Sequence, residues 1–191
     1  MTTKLAIFAS GAGSNAQKII DHFRNHPQIR VSLILCNKPE AGVLTIAQNE
    51  GIAHVLINKE QYQLDGYTSF LKENGIDFII LAGFLRKIPP ALIAAYPRRI
   101  INIHPALLPF YGGKGMYGHF VHQAVVAAGE KKTGITIHYV DEQYDHGDII
   151  FQATCDVNTT DTADTVAQKV HQLEHEHFPR VIESVIITPN G

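Results

Sequence analysis

Residues 5–20 read Leu5-Ala6-Ile7-Phe8-Ala9-Ser10-Gly11-Ala12-Gly13-Ser14-Asn15-Ala16-Gln17-Lys18-Ile19-Ile20: an unbroken apolar run, a glycine-bearing turn, then a polar stretch that brings back apolar residues at helical spacing. A strand covered by helices on both faces is apolar along its whole length. A glycine turn that feeds such a strand into a helix is the opening of an α/β unit. The rhythm repeats. Apolar runs at 31–36, 54–57, 78–82 and 100–103 predict four more strands, and helical patterns at 15–25, 41–50, 61–73 and 90–95 fall between them, the last opened by Pro89 and Pro90. Right-handed crossovers then predict an α/β fold with a doubly wound, mostly parallel sheet.

After His104 the rhythm changes. A glycine-rich stretch with Gly112, Gly113, Gly115 and Gly118 leads into a helix expected at 119–128, and a loop of that kind suits a mobile functional segment. Ile135, Ile137 and Tyr139 alternate with Thr136, His138 and Val140, and a second run follows at 149–155, so two late antiparallel strands are expected. A C-terminal helix at 163–186 carries Val166, Val170, Leu173, Phe178, Val181 and Val185 on one face. The 191 residues are expected to form a single domain, with a phosphate-binding half at about 1–100 and a catalytic and cosubstrate-binding half at about 101–191.

With 45% hydrophobic and 18% charged residues, the chain can build one ordinary core. Its formal charge of −2, from 16 Lys and Arg against 18 Asp and Glu, lacks the positive surplus that phosphate backbones and anionic lipid attract, so neither nucleic acid nor membrane is expected as a partner. Apolar runs such as 78–84 fall far short of the roughly 20 residues of a membrane span. The run 5–9 is too short for a secretory signal, and a cytoplasmic location is expected. Cys36 and Cys155, with no CxxC spacing, are expected to be buried and reduced.

Three sequence features carry chemistry. Ser10-Gly11-Ala12-Gly13-Ser14-Asn15 puts unpaired N–H groups and the positive end of a helix at the carboxyl edge of the sheet, which makes an anion cradle. The string satisfies G-x-G-x-x-A, but Asn37 and Lys38 stand where a dinucleotide site wants a carboxylate. That argues against NAD, keeps NADP open through Lys38, and favours a single phosphate held by Gly13, Ser14 and Asn15. Asn102 and His104, two apart on a strand, project to one face at the carboxyl end of the fifth strand; an amide donor and an imidazole suit a developing oxyanion. The acidic turn after Val140, from Asp141 to Asp148, can send one carboxylate to His104 and fix its orientation. His171 and His175 share a helix face, but no third metal ligand is evident and no metal is expected. Ser10 and Ser14 lack a G-x-S-x-G elbow, which leaves serine hydrolysis unsupported.

Four segments together are specific: Gly11 to Asn15, Leu81-Ala82-Gly83-Phe84-Leu85-Arg86, Asn102-Ile103-His104-Pro105-Ala106-Leu107-Leu108-Pro109, and Gly134 through Gly147. On these, nearly end to end, the chain resembles the phosphoribosylglycinamide formyltransferase family, folate-dependent transformylases of purine synthesis. The resemblance implies a Rossmann-like formyltransferase fold with Asn102, His104 and Asp145 as catalytic residues. It implies Gly13, Ser14 and Asn15 as the substrate-phosphate loop and Glu174 as a substrate-binding glutamate. It places the pterin of 10-formyltetrahydrofolate, the cosubstrate, against Arg86, the backbone of Leu85 and Ile88, Asn102, and a wall from Val140 and Asp141 to Asp145. The loop 110–121 is longer than the family's usual form, and His171 stands where some relatives have Gln.

The implied reaction is attack of the amine of glycinamide ribonucleotide on the N10-formyl carbon, through a tetrahedral intermediate whose oxygen bears negative charge. Asn102 and protonated His104 would donate to that oxygen, and Asp145 would support the imidazolium and route the proton. Alternatives are the hydrolytic deformylase of the same folate, another small-molecule N-formyltransferase, an NADP-binding oxidoreductase, and a non-catalytic nucleotide-binding module. Formyltransferases acting on initiator tRNA would need an appended basic domain, for which 191 residues are expected to leave no room. A monomer or homodimer acting on small molecules is expected.

Overall fold

The computed structural model describes residues 2–65 and 67–188. Strands β1 (Thr3–Ala9), β2 (Ile29–Cys36), β3 (Ala53–Leu56), β4 (Phe78–Leu81) and β5 (Ile100–His104) pair in parallel in the order β3-β2-β1-β4-β5. Each falls on one of the expected apolar runs. β1 and β2 begin two residues earlier than those runs, because backbone pairing from Thr3 with Ile29 onward needs no apolar side chain. β1 is buried from Leu5 to Ala9, as a strand covered on both faces must be. Helices α1 (Ser14–Phe23) and α2 (Gly42–Asn49) follow β1 and β2; α1 buries Ala16, Ile19, Ile20 and Phe23 at helical spacing.

The single helix expected at 61–73 is two, α3 (Lys59–Asp65) and α4 (Thr68–Glu73). Tyr67 is left-handed at φ 64° and caps α4, its N–H donating to Asp65 Oδ1 at 2.9 Å; Gly66 lies outside the described residues. α5 (Pro90–Ala95) begins at the proline, as expected.

Residues cluster into two units, Met1–Asn102 and Ile103–Gly191. In the second, α6 (His119–Ala127) precedes β6 (Lys132–Tyr139) and β7 (Ile149–Asp156), which pair antiparallel, and α7 (Ala163–Ile187) packs on β6, β7 and α6. The full strand order is β3-β2-β1-β4-β5-β6-β7. A Cβ at Gly134 would overlap the Ala153 carbonyl, so glycine alone lets β6 and β7 approach there.

Two expectations are corrected. Cys36 is buried but Cys155 is half-buried, because β7 is the outermost strand and only its alternate residues are covered. α7 buries Val166, Val170, Glu174, Phe178 and Ile182, a fourth-residue row, with Pro179 beside it, and leaves Leu173, Val181 and Val185 half-buried on its flanks. The row therefore carries a glutamate. The helix starts on a capping box in which Thr162 and Thr165 exchange side-chain bonds with each other's backbone N–H.

Candidate functional site

In the first unit the chain order reverses between β1 and β4, the switch point where open α/β sheets leave a crevice at their carboxyl ends. Ser10 ties the loops there: its N–H donates to Gly83 O at 3.1 Å, its Oγ donates to Asn37 Oδ1 at 2.5 Å, and the Oγ accepts from Leu85 N at 2.9 Å. The hydroxyl is thus engaged on both sides as a structural link, which accounts for Asn37 and removes Ser10 from the candidate nucleophiles.

Gly13 caps α1 at φ 85°, and a Cβ there would meet Val43 and Ile46 at 2.9 Å. Only glycine suits both the backbone angle and the contact. The first turn of α1 contains no acidic residue, so the positive helix end, with Ser14 and Asn15 as its first residues, is left available to an anion. A cleft of about 430 Å³ lies beside this turn, lined by Ser10, Gly11, Ala12 and the loop from Lys38 to Gly42. Its size is in the range of small-ligand sites.

The segment after β4 is held from beneath. Phe84 meets the rings of Phe8 and Tyr62 edge-on at 5.3 and 5.8 Å, and the Tyr62 hydroxyl donates to Lys87 O at 3.0 Å. Leu85 is exposed, Arg86 half-buried and Ile88 buried, so Ile88 can offer a ligand little beyond its backbone.

Asn102 and His104 stand two apart on β5, the spacing that gives them one face, with His104 only 3% exposed. In the second unit Thr136 fixes the chain that follows: its Oγ1 donates to Ala106 O at 2.7 Å and accepts from Leu108 N and Gln152 Nε2, each at 2.9 Å. Of the acidic turn, Asp145 is the carboxylate that reaches His104. Its Oδ2 lies 3.5 Å from His104 Nδ1 and accepts from Gly113 N at 3.0 Å. On the opposite side of the ring, His104 Nε2–H donates to the main-chain oxygen of Tyr111 at 2.7 Å. A carbonyl can only accept, so this bond assigns the Nε2 proton and makes Nδ1 the nitrogen that gains or gives one.

His138, which the sequence did not single out, also lies beside Asp145. Its Nε2 is 3.8 Å from Asp145 Oδ1 and its Nδ1–H donates to Tyr139 O at 2.8 Å. Burial holds His138 below the usual imidazole range, so it is neutral near pH 7. The signal available was its place on the same strand face as Thr136; the Gly113 N–H and Tyr111 carbonyl have no side-chain signature at all. Of the other acids of the turn, Asp141 is half-buried and accepts from His146 Nδ1 at 2.7 Å, and Glu142 and Asp148 are exposed; Val140, just before them, is half-buried.

Glu174 is 4% exposed and accepts from His171 Nδ1 at 2.8 Å. That bond raises the His171 pKa and favours its cation. His171 and His175 stack at 6.2 Å, but among the described residues no group of three or more His, Cys, Asp or Glu is arranged to hold a metal ion. No helix of the described residues is long and apolar enough to cross a membrane.

Residues 3–182 match the family model described as formyl transferase. Over 189 residues the chain is 35% identical to phosphoribosylglycinamide formyltransferase of Bacillus subtilis, covering 96% of this chain and 94% of that one. A chloroplastic phosphoribosylglycinamide formyltransferase of Vigna unguiculata is 41% identical over 95% of this chain, which spans 60% of that relative's length. The crystal structure of phosphoribosylglycinamide formyltransferase from Bacillus halodurans superposes with a TM-score of 0.88 at 36% identity, covering 97% of this chain and 96% of that one.

Proposed function

The chain belongs to the formyl transferase family, and on that premise we propose that it transfers the formyl group of 10-formyltetrahydrofolate to the amine of glycinamide ribonucleotide, a step of purine assembly. The observation that carries this reading is the His104–Asp145 pair: a buried imidazole whose Nε2 proton is fixed by Tyr111 and whose Nδ1 faces a carboxylate at 3.5 Å. The folate would supply an activated one-carbon unit at the formyl oxidation level.

The chain's own groups divide the work. Gly13, Ser14 and Asn15 receive the ribonucleotide phosphate at the uncompensated end of α1, and Glu174 accepts from its polar groups. Arg86, the backbone of Leu85 and Ile88, Asn102, Val140 and Asp141 hold the folate. Since Leu85 N–H is already given to Ser10, Leu85 can offer its carbonyl. Asn102 and protonated Nδ1 of His104 donate to the formyl oxygen as charge grows on it; Asp145 holds the imidazolium by charge and helps route the proton, through water, from the attacking amine to N10, which departs protonated as the C–N10 bond breaks. The 3.5 Å gap is wider than an ordinary hydrogen bond, so Nδ1–H is not fully committed to Asp145 and can be shared with a second acceptor. These residues act on small molecules, with the chain as one formyltransferase domain working in the cytoplasm as a monomer or homodimer.

The test is direct. Purified protein with glycinamide ribonucleotide and a 10-formyl folate should consume the folate only when the amine is present. Consumption without acceptor would instead favour the hydrolytic deformylase.

A further inference from the structure

Tyr111 has three features, and the reaction above uses only one of them, its main-chain oxygen. Its backbone is left-handed at φ 55°, a conformation an aromatic residue keeps only where its surroundings impose it. Its main-chain oxygen receives the His104 Nε2 proton. Its hydroxyl donates to Glu130 Oε1 at 2.7 Å, shortly after the end of α6, and this bond pushes the phenol pKa up.

The two residues that follow make the turn a clamp. A Cβ at Gly112 would press into the Leu108 side chain and meet Asp145 Cβ at 3.2 Å, so the turn lies close against Asp145, and Gly113 N–H donates to Asp145 Oδ2. Three consecutive residues therefore offer an acceptor to His104 and a donor to Asp145. A backbone that L-residues avoid needs an anchor, and the Glu130 carboxylate holds the Tyr111 ring by its far end.

We propose that the Tyr111–Glu130 hydrogen bond is a strut that holds the Tyr111 carbonyl against His104 and thereby sets which ring nitrogen carries the permanent proton. Tyr111 and Glu130 are positioning residues; neither side chain touches a reacting atom. Without the strut, Tyr111 relaxes toward negative φ, its carbonyl turns aside, and the neutral imidazole shifts toward the Nδ1–H form. In that form Nδ1–H is given to Asp145 and the ring has lost the Nε2–H bond that oriented it, so the donor meant for the formyl oxygen is misdirected. Binding groups are untouched, so the loss falls on kcat and leaves KM in place. The catalytic part of this inference rests on the formyl-transfer reading; the structural part does not.

The experiment compares the wild type with Tyr111→Phe, Glu130→Ala, Glu130→Gln and the Tyr111→Phe/Glu130→Ala double variant. Nitrogen-15 NMR of the His104 ring at a pH where it is neutral, thermal unfolding, and formyl-transfer kinetics are read for each. Expected is an Nε2–H wild-type ring, a marked Nδ1–H population in Tyr111→Phe and Glu130→Ala, and about a tenfold lower kcat with KM little changed. Glu130→Gln keeps an acceptor and should restore both readouts, and the double variant should be no worse than either single one. Wild-type ring spectra in Tyr111→Phe and Glu130→Ala overturn the proposal, as does an impaired Glu130→Gln of normal thermal stability. A shifted ring in a protein that never transfers formyl keeps the strut and removes the proposed reaction.

Discussion

Nδ1 of His104 lies 3.5 Å from Oδ2 of Asp145, while Nε2 of the same ring is spent on the main chain of Tyr111. The two ring nitrogens are thus engaged separately, Nε2 with the main chain and Nδ1 beside the carboxylate of Asp145. Asp145→Ala, His104→Ala and Asn102→Ala should each lower kcat by roughly 10²- to 10³-fold while circular dichroism and Tm show a folded protein. A fully active Asp145→Ala would remove Asp145 from the chemistry.

Gly13→Ala tests the phosphate loop. The added methyl enters at 2.9 Å from Val43 and Ile46 on a backbone at φ 85°, so the loop must shift. The expected cost is about 1–3 kcal/mol in stability, together with a raised KM for the ribonucleotide and a largely preserved KM for the folate. Equal changes in both KM values would argue that the loop does not serve the phosphate.

Ser10→Ala separates a structural hydroxyl from a nucleophile. The variant loses the Asn37 and Leu85 bonds, and unfolding by urea should reveal about 1–3 kcal/mol of lost stability with residual turnover well above background. Complete loss of turnover in a folded Ser10→Ala protein would revive covalent catalysis.

His122 predicts a pH dependence of stability. Burial, with the nearby charge of His171 acting in the same direction, pushes its pKa down to about 4 against the opposing charge of Glu174. In the unfolded chain the same ring takes its proton near 6.5, so below that pH the unfolded state binds more protons than the folded one. Stability should therefore fall as the pH drops from about 6.5 toward 4, with His122 contributing roughly 2–3 kcal/mol by the lower end. His122→Phe should flatten that part of the denaturation profile; an unchanged slope would show that the ring is protonated in the fold.

The sequence made the strands and the Asn102–His104 pair legible because burial on two faces leaves no room for polar residues in β1, and because Asn102 and His104 sit at strand spacing. Asp145 was harder to distinguish among its acidic neighbours by residue type alone: a φ of 52° and the Gly113 N–H, neither written in side chains, are what select it from Asp141, Glu142 and Asp148. Glu174 was named by the family resemblance, not by the apolar pattern. Helical spacing places position 174 in the buried row, but apolarity pointed to Leu173, and it takes the His171 bond to explain a carboxylate there. The break near Tyr67 was masked by apolar spacing that continues across it.

The most direct measurement is the stoichiometry of one reaction. With glycinamide ribonucleotide and a 10-formyl folate in excess, each folate deformylated should yield one formylated amine, and omission of the amine should stop folate turnover. Folate deformylation that proceeds unchanged without the amine, releasing formate, would contradict the account.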